Sequence, residues 1–335
     1  MFRITGAWAP RLICVLLACA SITAHGQQRP AALPGDYPSK PIRLIVGNAP
    51  GGGSDITARA VAQKLTEDFG RTVVVDNRPG ASGIIAMDLA AQTAPDGYTL
   101  LVVAGGDLAS AFVQKKVAYD VRSAYAPITQ LTSQYYLLLV TPQLPAKSVK
   151  DLIAYARSKP GALSFGSSGM GSSGHAGLEY LKAASGVDIV HVPYKGIGPA
   201  LVDMISGQLQ LAFASTISGS PHVRSGRLRA LAVTSPRRAQ AYPELPTISE
   251  TLPGFELTNW YGLFAPARTP SAIVLTLHRV ASDALRSADL QAKFSASGAE
   301  AAASASPSEL APLLVKEVSK WEKIVALPGF SESLK

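Results

Sequence analysis

Three glycine-rich loops constrain the fold more than any other feature of this chain. They are Pro50-Gly-Gly-Gly-Ser-Asp55, Gly166-Ser-Ser-Gly-Met-Gly-Ser-Ser-Gly-His175 and Tyr194-Lys-Gly-Ile-Gly-Pro199. Each follows an apolar or β-branched run and precedes a helical pattern. Strand, loop and helix in repeated succession predict an α/β fold with mainly parallel sheets covered by helices. In such sheets the strand ends that carry the loops share one edge, where ligands dock. Glycines let the backbone approach closely, and the free N–H groups at a helix start attract an anion. Ser54, Ser172 and Ser173 add hydroxyl donors. Asp55 reads equally well as an N-cap or as a ligand contact.

The pattern along the chain fills in two α/β units. Ile42–Val46 reads as a strand, Ile56–Phe69 as a helix stopped by Gly70, and Thr72–Val75 as a second strand. Ile84–Ala91 reads as a helix and Tyr98–Val103 as a third strand. A second unit follows. It has strands at Leu137–Val140, Leu163–Phe165, Ile189–Val192, Leu209–Ala214 and Leu228–Val233. Its helices begin at Ser148, Ala176 and Ala200. Leu257–Phe264 leads back, and helices after Thr269 and Ser306 close the chain; Pro312 is expected to kink the last one. Two domains with a cleft follow: residues 37–128 with 240–335, and residues 129–239, with crossovers near 125–135 and 234–262. Trp260 lies where the chain crosses back, and reads equally as core packing or as a cleft wall.

The glycine loops exclude as much as they suggest. Gly169, Gly171 and Gly174 match the dinucleotide spacing GxGxxG. A dinucleotide site also needs an acid at the carboxyl end of the next strand. Asp188 stands at the wrong end of Ile189–Val192, and no GxxxxGK[ST] is present. No serine in the 166–175 loop has the glycine spacing of a nucleophile elbow. His175, His191, His222 and His278 lack metal-ligand spacing, so neither metal nor cofactor is expected.

The N-terminus sets the compartment. Arg3 and Arg11 precede Leu12–Ala20, an apolar core too short to span a bilayer, and small residues follow to Gly26. Residues 1–26 therefore read as a secretory signal peptide. Both cysteines, Cys14 and Cys19, lie inside it, so the mature chain is expected to hold no disulfide and no thiol nucleophile. A loose lipoprotein box at Leu16–Cys19 gives the less favoured alternative of a lipid anchor. The net charge of +8 is spread without a long basic run, which suits a small anion better than nucleic acid.

Six blocks in order carry a family resemblance: Pro50-Gly-Gly-x-x-Asp55, Asn77-Arg-Pro-Gly80, Ala94-Pro-Asp-Gly-Tyr98, the loop ending in His175, His191-Val-Pro-Tyr-Lys-Gly196, and Trp260 to Pro270. Together with the exported N-terminus, they resemble the Bug family, the extracytoplasmic solute receptors of tripartite tricarboxylate transporters. The resemblance spans about residues 37–325. It implies a periplasmic binding protein of the two-domain, class II kind, a monomer without catalytic residues, serving membrane permease subunits. By the family pattern, Gly51, Gly52, Gly53, Ser54 and Asp55 hold a ligand carboxylate from one domain. Ser167, Ser172, Ser173 and His175 approach from the other, with Gly196, Ile197, Gly198, Pro199 and Asp203 beneath. Two departures stand out. The strand at 209–214 lacks the acid often found near its end, and Gly105-Gly-Asp107 replaces Ser/Thr-rich residues after the third strand. Asp107 either disfavours an anion or recognises an amine. Two other functions stay open at this point: an orphan ligand sensor that docks on a signalling protein, and an exported hydrolase using Ser172 or Ser173 with His175.

Overall fold

The computed structural model describes residues 37–327 and 330–334. The leader, both cysteines and the cleavage region lie outside the described residues. The first unit runs β1 (Ile42–Val46), α1 (Gly53–Phe69), β2 (Val73–Asn77), α2 (Ile84–Gln92), β3 (Thr99–Ala104) and α3 (Gly105–Val113). β1 pairs in parallel with both β2 and β3. Successive residues of β1 face opposite ways. Leu44 and Val46 meet Val61 and Leu65 of α1, while Ile45 packs with Met87 of α2. Both faces are thus covered by helices, as a fully apolar strand requires. Gly70 ends α1 in the left-handed conformation at φ 61°, its N–H donating to the Thr66 carbonyl.

β4 (Tyr125–Val140) is 16 residues long, far longer than the four-residue strand expected at Leu137–Val140. Its first part pairs antiparallel with β9 (Thr258–Pro266) and its last five residues with β7 (Leu211–Ser215), so one strand runs through both halves of the sheet. The register shifts between Pro127 and Thr129, where a proline that cannot donate is tolerated. The second unit follows as α4 (Val149–Ser158), β5 (Ser164–Ser167), α5 (Ser173–Ser185), β6 (Val190–Pro193), α6 (Ile197–Ile205), β7 (Leu211–Ser215), α7 (Thr216–Arg224) and β8 (Arg229–Val233). β5 is parallel to β6 and β7, and β8 pairs antiparallel with β4. Ser148 caps α4 by accepting from the Asp151 N–H.

The chain returns through β9 (Thr258–Pro266), antiparallel to both β3 and β4. The crossing strands β4 and β9 are therefore the antiparallel members of an otherwise parallel set. α8 (Ser271–Arg286), α9 (Ala288–Ala296), β10 (Glu300–Ala301), α10 (Leu310–Val325) and α11 (Phe330–Ser333) complete the chain. α8 packs on the α1 side of the first unit and α10 on the α2 side. Pro312 falls in the first turn of α10, where its missing N–H has no intrahelical partner to lose.

The shared strand is anchored in two cores at once. Leu138 and Val140 face one layer, with Phe165 and Phe213; Leu137 and Leu139 face the other, with Leu201 and Met204. Leu138→Ala should lose about 2–5 kcal/mol of stability in urea denaturation, the usual cost of a large-to-small change in a filled core. A loss under about 1 kcal/mol would mean that β4 does not hold the second core.

Candidate functional site

The first turns of α1, α5 and α6 each begin three residues earlier than their apolar patterns suggest: Gly53 rather than Ile56, Ser173 rather than Ala176, Ile197 rather than Ala200. Glycine and serine have weak helix propensity. Here they occupy first turns that border one small cavity. A cavity of about 40 Å³ is lined by Gly52, Gly53 and Ser54 of α1, by Ala104 and Asp107 at α3, and by Ser168 and Gly174 at α5. Ile197 of α6 and Ser215, the N-cap of α7, close it from another side. Five helix starts thus meet at one point. The N-caps of α1, α3, α6 and α7 offer no side-chain hydrogen bond to their helices. Each first turn leaves N–H groups without an intrahelical acceptor, and together they favour negative charge.

The remaining wall comes from the crossing strands and β7: Tyr136, Asn259, Tyr261 and Phe213, with Asn48 after β1. Gly53 makes the closest approach across the space. A Cβ there would lie 2.3 Å from Ser215 Oγ and 2.4 Å from the Tyr261 hydroxyl. Asn259 Oδ1 and both polar atoms of the Gln134 side chain are buried without a hydrogen-bond partner. Among the described residues no lysine, arginine or histidine lines the cavity, and the one ionisable carboxyl that does is Asp107, 8% exposed. Burial raises Asp107 to about 7; the Ser173 N–H opposes the shift and Glu317 adds to it. Burial also pushes the Tyr261 hydroxyl up to about 12. Larger surface hollows, of about 550 Å³ beside Tyr135 and Arg237 and about 320 Å³ beside Lys116 and Lys195, show no such meeting of helix starts.

The residues singled out in sequence divide into three groups. Gly52, Gly53, Ser54 and Ile197 line the cavity. Ser172, Ser173, Gly51, Gly196, Gly198 and Pro199 are not among the lining residues. Ser172 caps α5 by accepting from the His175 N–H, and Gly198 packs against the Pro50 carbonyl. The others face elsewhere. Asp55 accepts from the Gly51 N–H at 3.0 Å, Arg59 Nε at 3.0 Å and Asn77 Nδ2 at 2.9 Å, so it braces the loop. Asp203 accepts from the Tyr194 hydroxyl at 2.6 Å. Trp260 is buried against α3 and donates to Glu317 Oε2. A Cβ at Gly105 would fall 1.9 Å from its ring, which is why α3 opens with glycine.

The serine–histidine geometry does not assemble a nucleophile. His175 Nδ1 accepts from the Gly171 N–H at 3.0 Å, so that nitrogen is not a base for Ser173. The His175 ring stacks on His191, centroids 4.0 Å apart at 9°. His191 Nε2 pairs with Ser167 Oγ at 2.6 Å, but Ser167 is fully buried and also bonds both the N–H and the carbonyl of Gly169. Burial lowers His175 to about 3 and His191 to about 4, which keeps the stacked pair neutral. Among the described residues no group of three or more His, Cys, Asp or Glu side chains could hold a metal ion.

The loop from 168 to 172 is held from the opposite side of the cavity. Ser82 Oγ donates to the Met170 carbonyl at 2.8 Å, and Lys116 Nζ donates to it at 3.2 Å. Ser110 Oγ and Gln114 Nε2 donate to the Gly171 carbonyl. The Ala49 N–H reaches the Lys195 carbonyl at 2.9 Å.

Comparison with known proteins shows a chain similar to receptors. The model of the "Tripartite tricarboxylate transporter family receptor" family matches residues 57–329. The chain is 34% identical to Protein BugT of Bordetella pertussis over 296 residues, 88% of this chain and 90% of that protein. MatC from Rhodopseudomonas palustris, solved with bound malate, is 32% identical with a TM-score of 0.81, covering 86% of this chain and 100% of that one. A second R. palustris protein, solved with adipate, is 36% identical with a TM-score of 0.82, covering 86% and 97%.

The buried carboxyl of Asp107 gives a prediction with a definite sign. Its folded value, about 7, lies above its unfolded value of 3.8, so the anion costs the folded state. The stability it contributes is full below about pH 4 and is lost as pH climbs through about 7. Asp107→Asn removes that loss, up to about 4 kcal/mol at 1.36 kcal/mol per unit. The melting temperature of the variant, without ligand, should match the parent near pH 4 and exceed it by several degrees at pH 8. The histidine pair contributes the opposite slope, stability lost as pH falls below 6.5, but cancels in the difference between the two proteins. A difference that does not change with pH would contradict the buried, unpaired state of Asp107.

Proposed function

Because the chain belongs to the family of tripartite tricarboxylate transporter receptors, we propose that it captures a small carboxylate in the periplasm and delivers it to the permease of such a transporter. The family and the fold are those of solute-binding receptors, not of enzymes. The observation that carries the ligand class is the meeting of the starts of α1, α3, α5, α6 and α7 at one cavity without a basic side chain. Backbone N–H groups and helix dipoles suit a carboxylate and need no counter-cation. The malate and adipate of the two solved relatives support the same chemistry.

In this reading residues 37–128 with 240–335 form one lobe and residues 129–239 the other. They close on the ligand by bending β4 and the segment 234–262. The donors that grip the Met170 and Gly171 carbonyls act as closure contacts. Residues 1–26 direct export and are removed, and the receptor works as a monomer. No helix among the described residues is long and apolar enough to cross a membrane. A sensor that docks on a signalling protein would use the same cavity and differ only in its partner, which a pull-down against permease subunits separates.

Isothermal titration of the exported chain against a panel of carboxylic acids tests the reading. Co-purified ligand is first stripped by unfolding and refolding. At least one acid should bind with micromolar affinity or better. Ser54→Trp should weaken that acid at least 100-fold, with an unchanged circular dichroism spectrum, because the indole occupies the cavity. Full affinity in this variant moves the site elsewhere, and a panel without any binder removes the carboxylate reading.

A further inference from the structure

One group in the cavity works against a simple anion site. Asp107 is 92% buried by its 8% exposure, and it lines the cavity. No lysine, arginine or histidine lies within ion-pair distance of it among the described residues. It is the third residue of α3 and makes no side-chain hydrogen bond to that helix's own first turn; its carboxyl instead takes the N–H of Ser173, the first residue of α5. The charged and titratable groups packed around it come from three other elements. Tyr136 of β4 and Tyr261 of β9 are neutral hydroxyls held protonated by burial. Glu317 of α10 is a second acid, already engaged by Trp260 Nε1 at 3.3 Å and by Lys320 Nζ at 3.5 Å. The Ser173 N–H is the one donor that opposes the carboxyl's rise.

The position is built rather than incidental. Gly105 and Gly106 let α3 start against Trp260 and Ser173; a Cβ at Gly106 would lie 2.5 Å from Ser173 Oγ. That approach drives the third residue of the helix into the cavity. A carboxylate costs desolvation unless something positive meets it.

We propose that Asp107 selects a zwitterion: a small acid whose carboxylate sits at the helix starts and whose ammonium group pairs with Asp107. The same carboxylate turns away a second carboxylate at that end, as in a dicarboxylic acid. The proposal rests on the carboxylate-receptor reading and narrows it to amino-substituted acids. The negative pole is supplied by Asp107 alone among the lining residues, and the positive pole by the N–H groups of α1, α6 and α7, whose caps offer them no side-chain acceptor. An ammonium can donate to Asp107 and to the unpartnered Asn259 Oδ1, which also needs a donor.

The test is titration calorimetry at pH 7.4 with matched pairs: β-alanine and propionate, 4-aminobutyrate and butyrate, L-aspartate and succinate, with malate and adipate alongside. The stripped parent protein should bind its best amino acid at least 10-fold tighter than the unsubstituted partner. Asp107→Asn should weaken that amino acid at least 10-fold while leaving the unsubstituted acids equal or tighter. A parent that prefers succinate, malate or adipate overturns the selection and leaves the carboxylate reading standing. Equal losses for both members of a pair in Asp107→Asn also overturn it. Binding of no acid from either set removes both readings together. Should the variant fail to fold, the ratio within the parent alone decides.

Discussion

Every helix begins with N–H groups that its own carbonyls cannot reach, and in this protein five such beginnings point at one space. Elsewhere in proteins a serine, threonine or aspartate turns inward to satisfy them. Here Gly52, Ala104 and Gly196 stand at the cap positions of α1, α3 and α6 and offer no side-chain acceptor, and Ser215 at α7 turns its hydroxyl toward Ser218 instead. Much else follows from that arrangement. Gly53 must lack a side chain because it faces Ser215 and Tyr261, and Gly105 because it faces Trp260. Even Asp55, inside the first turn of α1, is turned back to brace the loop that presents those N–H groups.

A cradle of backbone donors differs in kind from one built of arginines. Long cationic side chains lose rotamer freedom when they are ordered around a ligand, whereas N–H groups at helix starts are already fixed by the fold. They also add no net charge to the site, so they carry little desolvation cost of their own. Against that background one carboxyl matters more than it would among surface charges. At 4 Å and an effective dielectric of about 20, two like charges repel by about 4 kcal/mol. A charge placed near a carboxylate in the position of Asp107 would therefore feel it as strongly as several hydrogen bonds.

What could be read in the sequence was local. β1, β6, α2 and α4 each carry their own pattern of apolar spacing and end signals, and their boundaries fall within two residues of those patterns. What could not be read depended on distant partners. α3 opens Gly105-Gly106, which looks like a turn; only the ring of Trp260 and the hydroxyl of Ser173 explain why a helix starts there. α7 contains Pro221 and is rich in serine and glycine, so propensity opposes it, yet it packs beneath β4 and β7 through Ile217 and Gly219. The polar middle of β4, Thr129 to Gln134, hides a strand because its neighbour β9 lies more than a hundred residues away. The cavity suffered most from this. The glycine loops announced α1, α5 and α6, but Tyr136, Asn259 and Tyr261 lie on crossing strands and Ser215 at a strand end, without a local mark.

The 166–175 loop shows how far the two kinds of information reach. Its glycines and serines suggest a dinucleotide cradle or a nucleophile, and its histidine suggests a base. In the fold its hydroxyls divide their work. Ser167 ties the loop to His191, Ser172 starts α5, and Ser173 stands beside Gly106. His175 is locked neutral against His191, with Phe330 of α11 tilted 5.6 Å from its ring. The loop's outward face is its carbonyls, those of Met170 and Gly171, which take donors from Ser82, Ser110, Gln114 and Lys116. The N–H groups in the same two peptide planes are taken by the loop itself: Gly171 N–H donates to His175 Nδ1 and Ser172 N–H to the Gly169 carbonyl. One peptide segment is thus fixed on both edges, its carbonyls by donors from the opposing side and its N–H groups by its own acceptors, because turning a plane to release a carbonyl also breaks the N–H bond on its other edge.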